Sequence, residues 1–194
     1  EVQTLRLAYL PLVGATLYYL SKFLNTRVVL MTATKPKVFE LANQEILCEE
    51  DKAEAFELLD NFEEVFHCFQ RTAIVPIIDK KIEDENEFLE KYFFDKWVDN
   101  KSCIIVCNTV KRSSDLFNLL RDNVDNPIYY LSTNIIPLHR QSIIEAIQID
   151  LKHGLKPILV STQCVEAGVD LDFDMGFRDL SPIDSIVQVA GRIN

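Results

Sequence analysis

At 194 residues, 48% of them apolar, the chain can hold one ordinary domain with a sizeable core, or one domain and part of another. Its 20 basic and 30 acidic residues give a formal charge of −10, which argues against a module that grips nucleic acid through a basic patch alone. A protein that holds phosphates with main-chain N–H groups, hydroxyls and amides is not excluded.

The chain opens abruptly at Glu1-Val2-Gln3-Thr4, without an initiator methionine. Leu7–Leu20 carries no Asp or Glu and no Lys or Arg, is interrupted by Pro11 and Gly14, and reads as a buried helix too short to span a bilayer. Val28–Met31 is a continuous apolar run that reads as a buried parallel strand stopping at Thr32-Ala33-Thr34. From Glu40 to Asp60 the chain is acidic, with Phe56 and Leu59 at helical spacing, and Val65–Ile78 reads as one or two strands broken at Gln70-Arg71. Asp79–Asp99 places Phe88, Leu89, Tyr92, Phe93 and Val98 at the spacing of an amphipathic helix.

The alternation then becomes regular. Strands are predicted at Cys103–Cys107, Ile128–Leu131 and Pro157–Val160, with a weaker one at Phe173–Phe177. Helices are predicted at Ser113–Arg121, Arg140–Lys152 and Ile183–Ala190. Strands alternating with helices imply βαβ units, hence an α/β fold with a parallel sheet and helices on both faces. The expected division is a C-terminal part of one lobe over 1–49, a connector over 50–78 and a second α/β lobe over 79–194.

Five cysteines, Cys48, Cys68, Cys103, Cys107 and Cys164, form an odd set without disulfide-like spacing, which suits a reducing, cytoplasmic setting. Cys103 and Cys107 share one face of a strand, and His67-Cys68 has no second pair at ligand spacing, so core packing is expected and no metal site.

In open parallel sheets ligands gather at the carboxyl ends of the strands. The predicted strands are followed there by Thr32-Ala33-Thr34, by Asn108-Thr109, and by Ser161-Thr162-Gln163 with Glu166-Ala167-Gly168-Val169-Asp170. The last helix carries Gln188 and ends at Gly191-Arg192. Hydroxyls and amides there can bind phosphate oxygens without net positive charge. Each element also has a plain reading: Ser and Thr as turn formers or caps, Gly168 as a turn, Gly191 as a helix end.

In order and spacing these residues resemble the later motifs of superfamily-two helicases. Glu1-Val2-Gln3 resembles the end of a Walker B box, and Thr32-Ala33-Thr34 the motif that links hydrolysis to movement. Ser161-Thr162-Gln163 through Asp172 resembles the second-lobe motif touching nucleic acid and nucleotide, and Gln188–Arg192 the arginine-finger motif. Within that superfamily, Met31–Pro36, Phe69–Thr72, Val165–Asp174 and Asp179–Ser185 resemble the effector helicase-nuclease of type I CRISPR systems.

The resemblance implies two RecA-like lobes, of which the chain holds the second and the C-terminal part of the first. It implies ATP and Mg2+ as cofactors, with single-stranded DNA, a guide-RNA surveillance complex and further helicase and nuclease segments as partners. By position, Glu1 is the base orienting water, Arg192 the finger on the γ-phosphate, and Gln188 a lining residue of the cleft. Thr32, Ala33 and Thr34 couple the lobes. Gly168, Asp170 and Gly191 approach nucleotide, while Asn108, Thr109, Thr162 and Gln163 bind the tracking strand. Arg140 can meet the nucleic-acid backbone or be a plain surface arginine.

The P-loop, the Walker B aspartate and the final arginine of the finger motif lie outside the chain, and Gln3 stands where many relatives have histidine. The segment is therefore expected not to turn over ATP by itself. Another superfamily-two motor acting on RNA or in DNA repair, or a RecA-like scaffold domain without motor chemistry, are the competing readings.

Overall fold

The computed structural model describes residues 5–31, 37–58, 61, 64, 72–98, 100–166 and 169–194, and its two units divide between residues 70 and 71. That division falls inside the segment 50–78 read as a connector.

In the first unit a short 3-10 turn, Leu7–Tyr9, leads into α1 (Leu10–Leu24), and α2 (Val38–Glu45) packs against it. Pro11 sits in the first turn of α1, where its missing N–H leaves no bond unmade. Gly14 lets the helices approach: a Cβ there would lie 2.4 Å from the Val38 carbonyl oxygen and 2.8 Å from Ala42 Cβ. Asn43 clamps the chain beyond α2, donating to Ala53 O at 2.9 Å and accepting from Ala53 N–H at 2.8 Å. Lys22 pairs with Asp51, to which Tyr18 also donates, and these bonds hold the Asp51 carboxyl below its usual range.

Several expectations fail over residues 5–78. The helix is longer and less buried than its apolar run suggested: Leu7–Leu24 is 18 residues with a hydropathy of 1.2, enough by length and composition to cross a membrane. Only Leu10, Pro11, Gly14 and Ala15 on it are buried, on the stripe where, among the described residues, α2 packs. Val28–Met31 forms no strand, and Met31 is 91% exposed. An apolar run becomes a strand only where a neighbour completes its hydrogen-bond ladder, and all four strands among the described residues belong to the second unit. The described residues of 65–78 likewise form no strand, and Phe56 lies outside any helix, exposed.

In the second unit, α3 (Glu85–Phe88), a π-helical turn (Leu89–Phe93) and α4 (Phe94–Lys96) run on from one another. Asp84 caps the start by accepting from Glu87 N–H, and Glu87 reaches back to accept from Glu83 N–H. Val98 lies beyond the helix and is exposed.

Then follow β1 (Cys103–Val106), α5 (Val110–Arg121), β2 (Ile128–Leu131), α6 (Pro137–Lys152), β3 (Ile158–Ser161), β4 (Met175–Arg178) and α7 (Ile183–Ala190). The strands form one parallel sheet in the order β2-β3-β1-β4, with Cys103 in register with both Ile158 and Met175.

Side chains alternate between the faces, as pleating requires. Cys103, Ile105 and Cys107 join Ile158, Val160, Leu116, Leu120, Phe88, Phe93 and Trp97 in one core layer, under α5 and the helix of residues 85–96. Ile104 and Val106 join Leu159, Leu131, Ile147, Phe173 and Val189 in the other, under α6 and α7. Helices cover both faces, as the alternation of strand and helix implies. Cys103 and Cys107 are therefore core residues, and burial pushes the Cys107 thiol up to about 12.

The chain leaves β1 for one face through α5 and leaves β3 for the other, where the loop 162–173 packs. Adjacent strands whose continuations diverge open a crevice at their carboxyl ends.

Candidate functional site

Asn108 lies two residues beyond β1, the strand set between β3 and β4. Its main-chain N–H donates to Asp179 Oδ2 at 3.0 Å, its side-chain Nδ2 to Leu180 O at 2.8 Å, and its Oδ1 accepts from Arg178 Nη1 at 2.6 Å. Thr109 caps α5, its hydroxyl accepting from Arg112 N–H at 3.3 Å. Arg112 lies 3.6 Å from both Asp179 and Glu85 and ties the same loops to the start of α3.

Arg178, the last residue of β4, is the hub. Besides Asn108, its Nη1 reaches Asp179 O at 3.1 Å and Val106 O at 3.4 Å, and its Nη2 pairs with Glu166 Oε1 at 2.9 Å. This ion pair is buried, the side chains only 7% and 12% exposed. Glu166 Oε2 accepts from Ser185 Oγ on α7 at 3.0 Å, and Glu166 O accepts from Arg192 Nη2 at 3.5 Å. The Nε atoms of Arg178 and Arg192 are buried without a partner.

The helix end that carries the finger motif is fixed independently. Gly191 caps α7 in right-handed helical geometry, and a Cβ there would meet only ordinary contacts at 3.5 Å or more. Thr72 donates its hydroxyl to Ile193 O at 2.8 Å, and Phe173 exchanges main-chain bonds with Arg192 and Asn194. Gln188 lies half-buried on α7.

Thr162 follows β3 with its main-chain N–H on Leu131 O, while its hydroxyl is buried with no partner. The Ser132 hydroxyl beyond β2 shares that condition. Gln163 opens a 3-10 turn and is exposed. Arg140 donates to Ser132 O and Ile135 O, so it braces the start of α6 rather than standing free on the surface.

Asp170 lies elsewhere. Its carbonyl accepts from Gln148 Nε2, and it lines a cavity of about 540 Å³ with Lys152, Lys156 and Asp174, toward the amino ends of the strands. Glu1, Thr32, Ala33, Thr34 and Gly168 lie outside the described residues.

Asn108 and Arg192 thus belong to one hydrogen-bonded set, with Thr109 tied to it through Arg112; no bond links Gln188 or the Thr162 side chain to it. Of the two residues that join the set, Glu166 fell within the polar loop read from the sequence but was given no role, and Arg178 was not singled out. Opposite charges, one at the end of β4 and one in the loop after β3, were the available signal, and it needs the strand order to be read.

Among the described residues no three His, Cys, Asp or Glu side chains gather where they could hold a metal ion. The partnerless Nε of Arg192 fits an anion such as a nucleotide phosphate.

Residues 99–194 match a family model described as CRISPR-associated nuclease/helicase Cas3, C-terminal. The CRISPR-associated nuclease/helicase Cas3 of Haloferax volcanii is 44% identical over 64 residues, 33% of this chain and 7% of that protein. That of Methanothermobacter thermautotrophicus is 31% identical over 94 residues, 48% of this chain and 11% of that protein. The chain therefore spans only a small part of the length of these relatives. The crystal structure of T. fusca Cas3 superposes with a TM-score of 0.50 at 27% identity, covering 63% of this chain and 15% of that one. The T. fusca Cas3-AMPPNP structure gives 0.50 at 26%, covering 62% and 14%.

Proposed function

Because the chain belongs, through residues 99–194, to the C-terminal family of the CRISPR-associated nuclease/helicase Cas3, we propose that it is part of an ATP-dependent helicase or translocase acting on single-stranded DNA in antiviral defence. In this reading it is a cytoplasmic segment that works with the remaining helicase and nuclease segments and with a guide-RNA surveillance complex.

The observation that carries the reading is the continuous network from Asn108 through Arg178 and Glu166 to Arg192 at the carboxyl edge of the sheet. It ties a residue assigned to the tracking strand to a residue assigned to the nucleotide, which is the connection a motor requires. A related protein has been solved as Cas3-AMPPNP, which supports nucleotide as the ligand.

The chemistry divides by position. ATP supplies the phosphoanhydride bond whose cleavage drives movement. Arg192, fixed by α7 and by the bonds around Phe173 and Thr72, offers a delocalised cation to the charge that builds on the transferred phosphoryl group. Asn108 and Thr162 present neutral donors to strand phosphates.

The test is ATPase activity of a full-length protein carrying this segment, with and without single-stranded DNA, beside its Arg192→Ala variant. Arginine fingers are worth about 10³–10⁵ in kcat, so the stimulated rate is expected to collapse while circular dichroism stays unchanged. A wild-type protein without nucleic-acid-stimulated ATPase would sink the motor reading and favour a scaffold.

A further inference from the structure

The turn that carries Arg192 is held by two distant parts of the chain. Phe173, just before β4, donates its N–H to Arg192 O at 2.8 Å and accepts from Asn194 N–H at 2.9 Å. Thr72 donates its hydroxyl to Ile193 O at 2.8 Å, and its oxygen lies 3.4 Å from Ala190 O. These two carbonyls flank Arg192, at the end of α7 where main-chain acceptors outrun the helix's own donors.

The two attachments differ in what stands behind them. Phe173 is buried in the core under the sheet, so its bonds fix the turn to its own lobe. Thr72 belongs to the connector: the two units divide between residues 70 and 71, which makes it the second residue of the second unit. Thr72 is half-buried, whereas residues 73–81 after it are exposed and no main-chain bond between described residues holds them. Packing against the core resumes at Ile82. The connector therefore enters the second unit pinned through one hydroxyl, and what it is pinned to is the main chain beside Arg192.

We infer that Thr72 is a positioning residue through which the connector between the two units sets the aim of Arg192. The inference rests on the motor reading above. Thr72 acts on the guanidinium through the main chain of residues 190–193 and needs no contact with nucleotide or strand. An arginine finger meets charge that develops only in the transition state, so a mis-aimed one lowers kcat and leaves the binding of ATP itself nearly as it was.

The test uses a full-length protein carrying this segment, with Thr72→Val, Thr72→Ser, Arg192→Ala, and Thr72→Val combined with Arg192→Ala. Valine keeps the shape of threonine and removes the donor, while serine keeps the donor. The kcat and KM for ATP are measured with single-stranded DNA present. Affinities are measured for a fluorescent ATP analogue and for ADP with aluminium fluoride, a mimic of the transferring phosphoryl group. Thr72→Val is expected to lose about tenfold in kcat and in affinity for the mimic, within the roughly 10²-fold that a misplacement of about 1 Å can cost. KM and affinity for the ATP analogue are expected to stay within about twofold, and Thr72→Ser to recover most of the loss. Without Arg192, the Thr72→Val change is expected to alter affinity for the mimic by less than about twofold, because the group it positions is gone.

A folded Thr72→Val protein with the wild-type kcat overturns the inference, and so does a loss that persists in full in the Arg192→Ala background. Equal losses in affinity for the mimic and for the ATP analogue, or no recovery in Thr72→Ser, also overturn it, since they report a damaged fold. Should Thr72→Val fail to fold, Thr72→Ala takes its place and is judged by the same outcomes. A wild-type protein without nucleic-acid-stimulated ATPase removes the motor reading and the inference with it. A stimulated wild type that is impaired by Arg192→Ala but not by Thr72→Val rejects the inference alone.

Discussion

Glu166 and Arg178 give up most of their water on folding, and their mutual contact with its surrounding acceptors is what compensates for that loss. Removing one partner of such a pair leaves a buried charge alone and costs about 3–5 kcal/mol. Glu166→Ala is therefore expected to lower stability by about that amount in urea unfolding. Glu166→Gln should cost clearly less, since its amide oxygen still accepts from Arg178 Nη2. Equal losses in the two variants would mean that the pair is better hydrated than its burial implies. The same logic separates the two glycine roles in the unit. Gly191 meets nothing that a methyl group would displace, whereas at Gly176 a Cβ would press within 2.8 Å of Ile104 Cγ2. Loss of activity in a Gly191→Ala variant would then report on what approaches the helix end, not on a damaged fold.

Asp174 ties three elements together at the amino ends of the strands. Its carboxylate accepts from Ser102 N–H and Oγ–H, both at 2.7 Å, just before β1, and from Lys156 at 3.0 Å, just before β3, while Asp174 itself precedes β4. Burial pushes its pKa up, but the Ser102 bonds and Lys156 outweigh it and the net shift is downward. A carboxylate with a depressed folded pKa contributes stability that is present above the unfolded value, near 3.8, and is lost as the pH falls through the folded value. Acid titration of unfolding should therefore steepen below about pH 4, and Asp174→Asn should flatten that limb. An unchanged limb in the variant would show that the carboxylate is not the group being titrated. These elements were also the legible ones. Cys103–Val106 and Ile158–Ser161 announce themselves because both faces are buried, and Ile128–Leu131 because both of its faces pack against the core, so each reads as a short unbroken apolar run. Val28–Met31 and residues 72–78 carry the same signal and form no strand. A run of apolar residues encodes a preference for burial; it does not encode the neighbour that completes the ladder.

Across the whole chain the acidic balance sets how any nucleic acid is held. Asn108, Thr109 and Thr162 could be read as polar residues beyond strand ends, because strand ends are recognisable. The ion pair beside Asn108 could not, because Glu166 and Arg178 are 12 residues apart and meet only once β1 is inserted between β3 and β4. With a charge of −10, contacts made by this segment depend on hydroxyls and amides, and such contacts release no counterions. Thr162 allows a clean test. Its hydroxyl is buried and partnerless, so Thr162→Val, of nearly the same shape, removes no internal bond and should leave stability unchanged or slightly raised. Affinity for single-stranded DNA should fall about tenfold, or ~1.4 kcal/mol, the worth of one hydrogen bond to a charged acceptor. The slope of log affinity against log salt should not move, whereas losing one cationic contact would flatten it by about 0.7 for a single strand. Unchanged affinity would remove Thr162 from the interface, and a flatter slope would mean that the substitution had disturbed a cationic contact elsewhere.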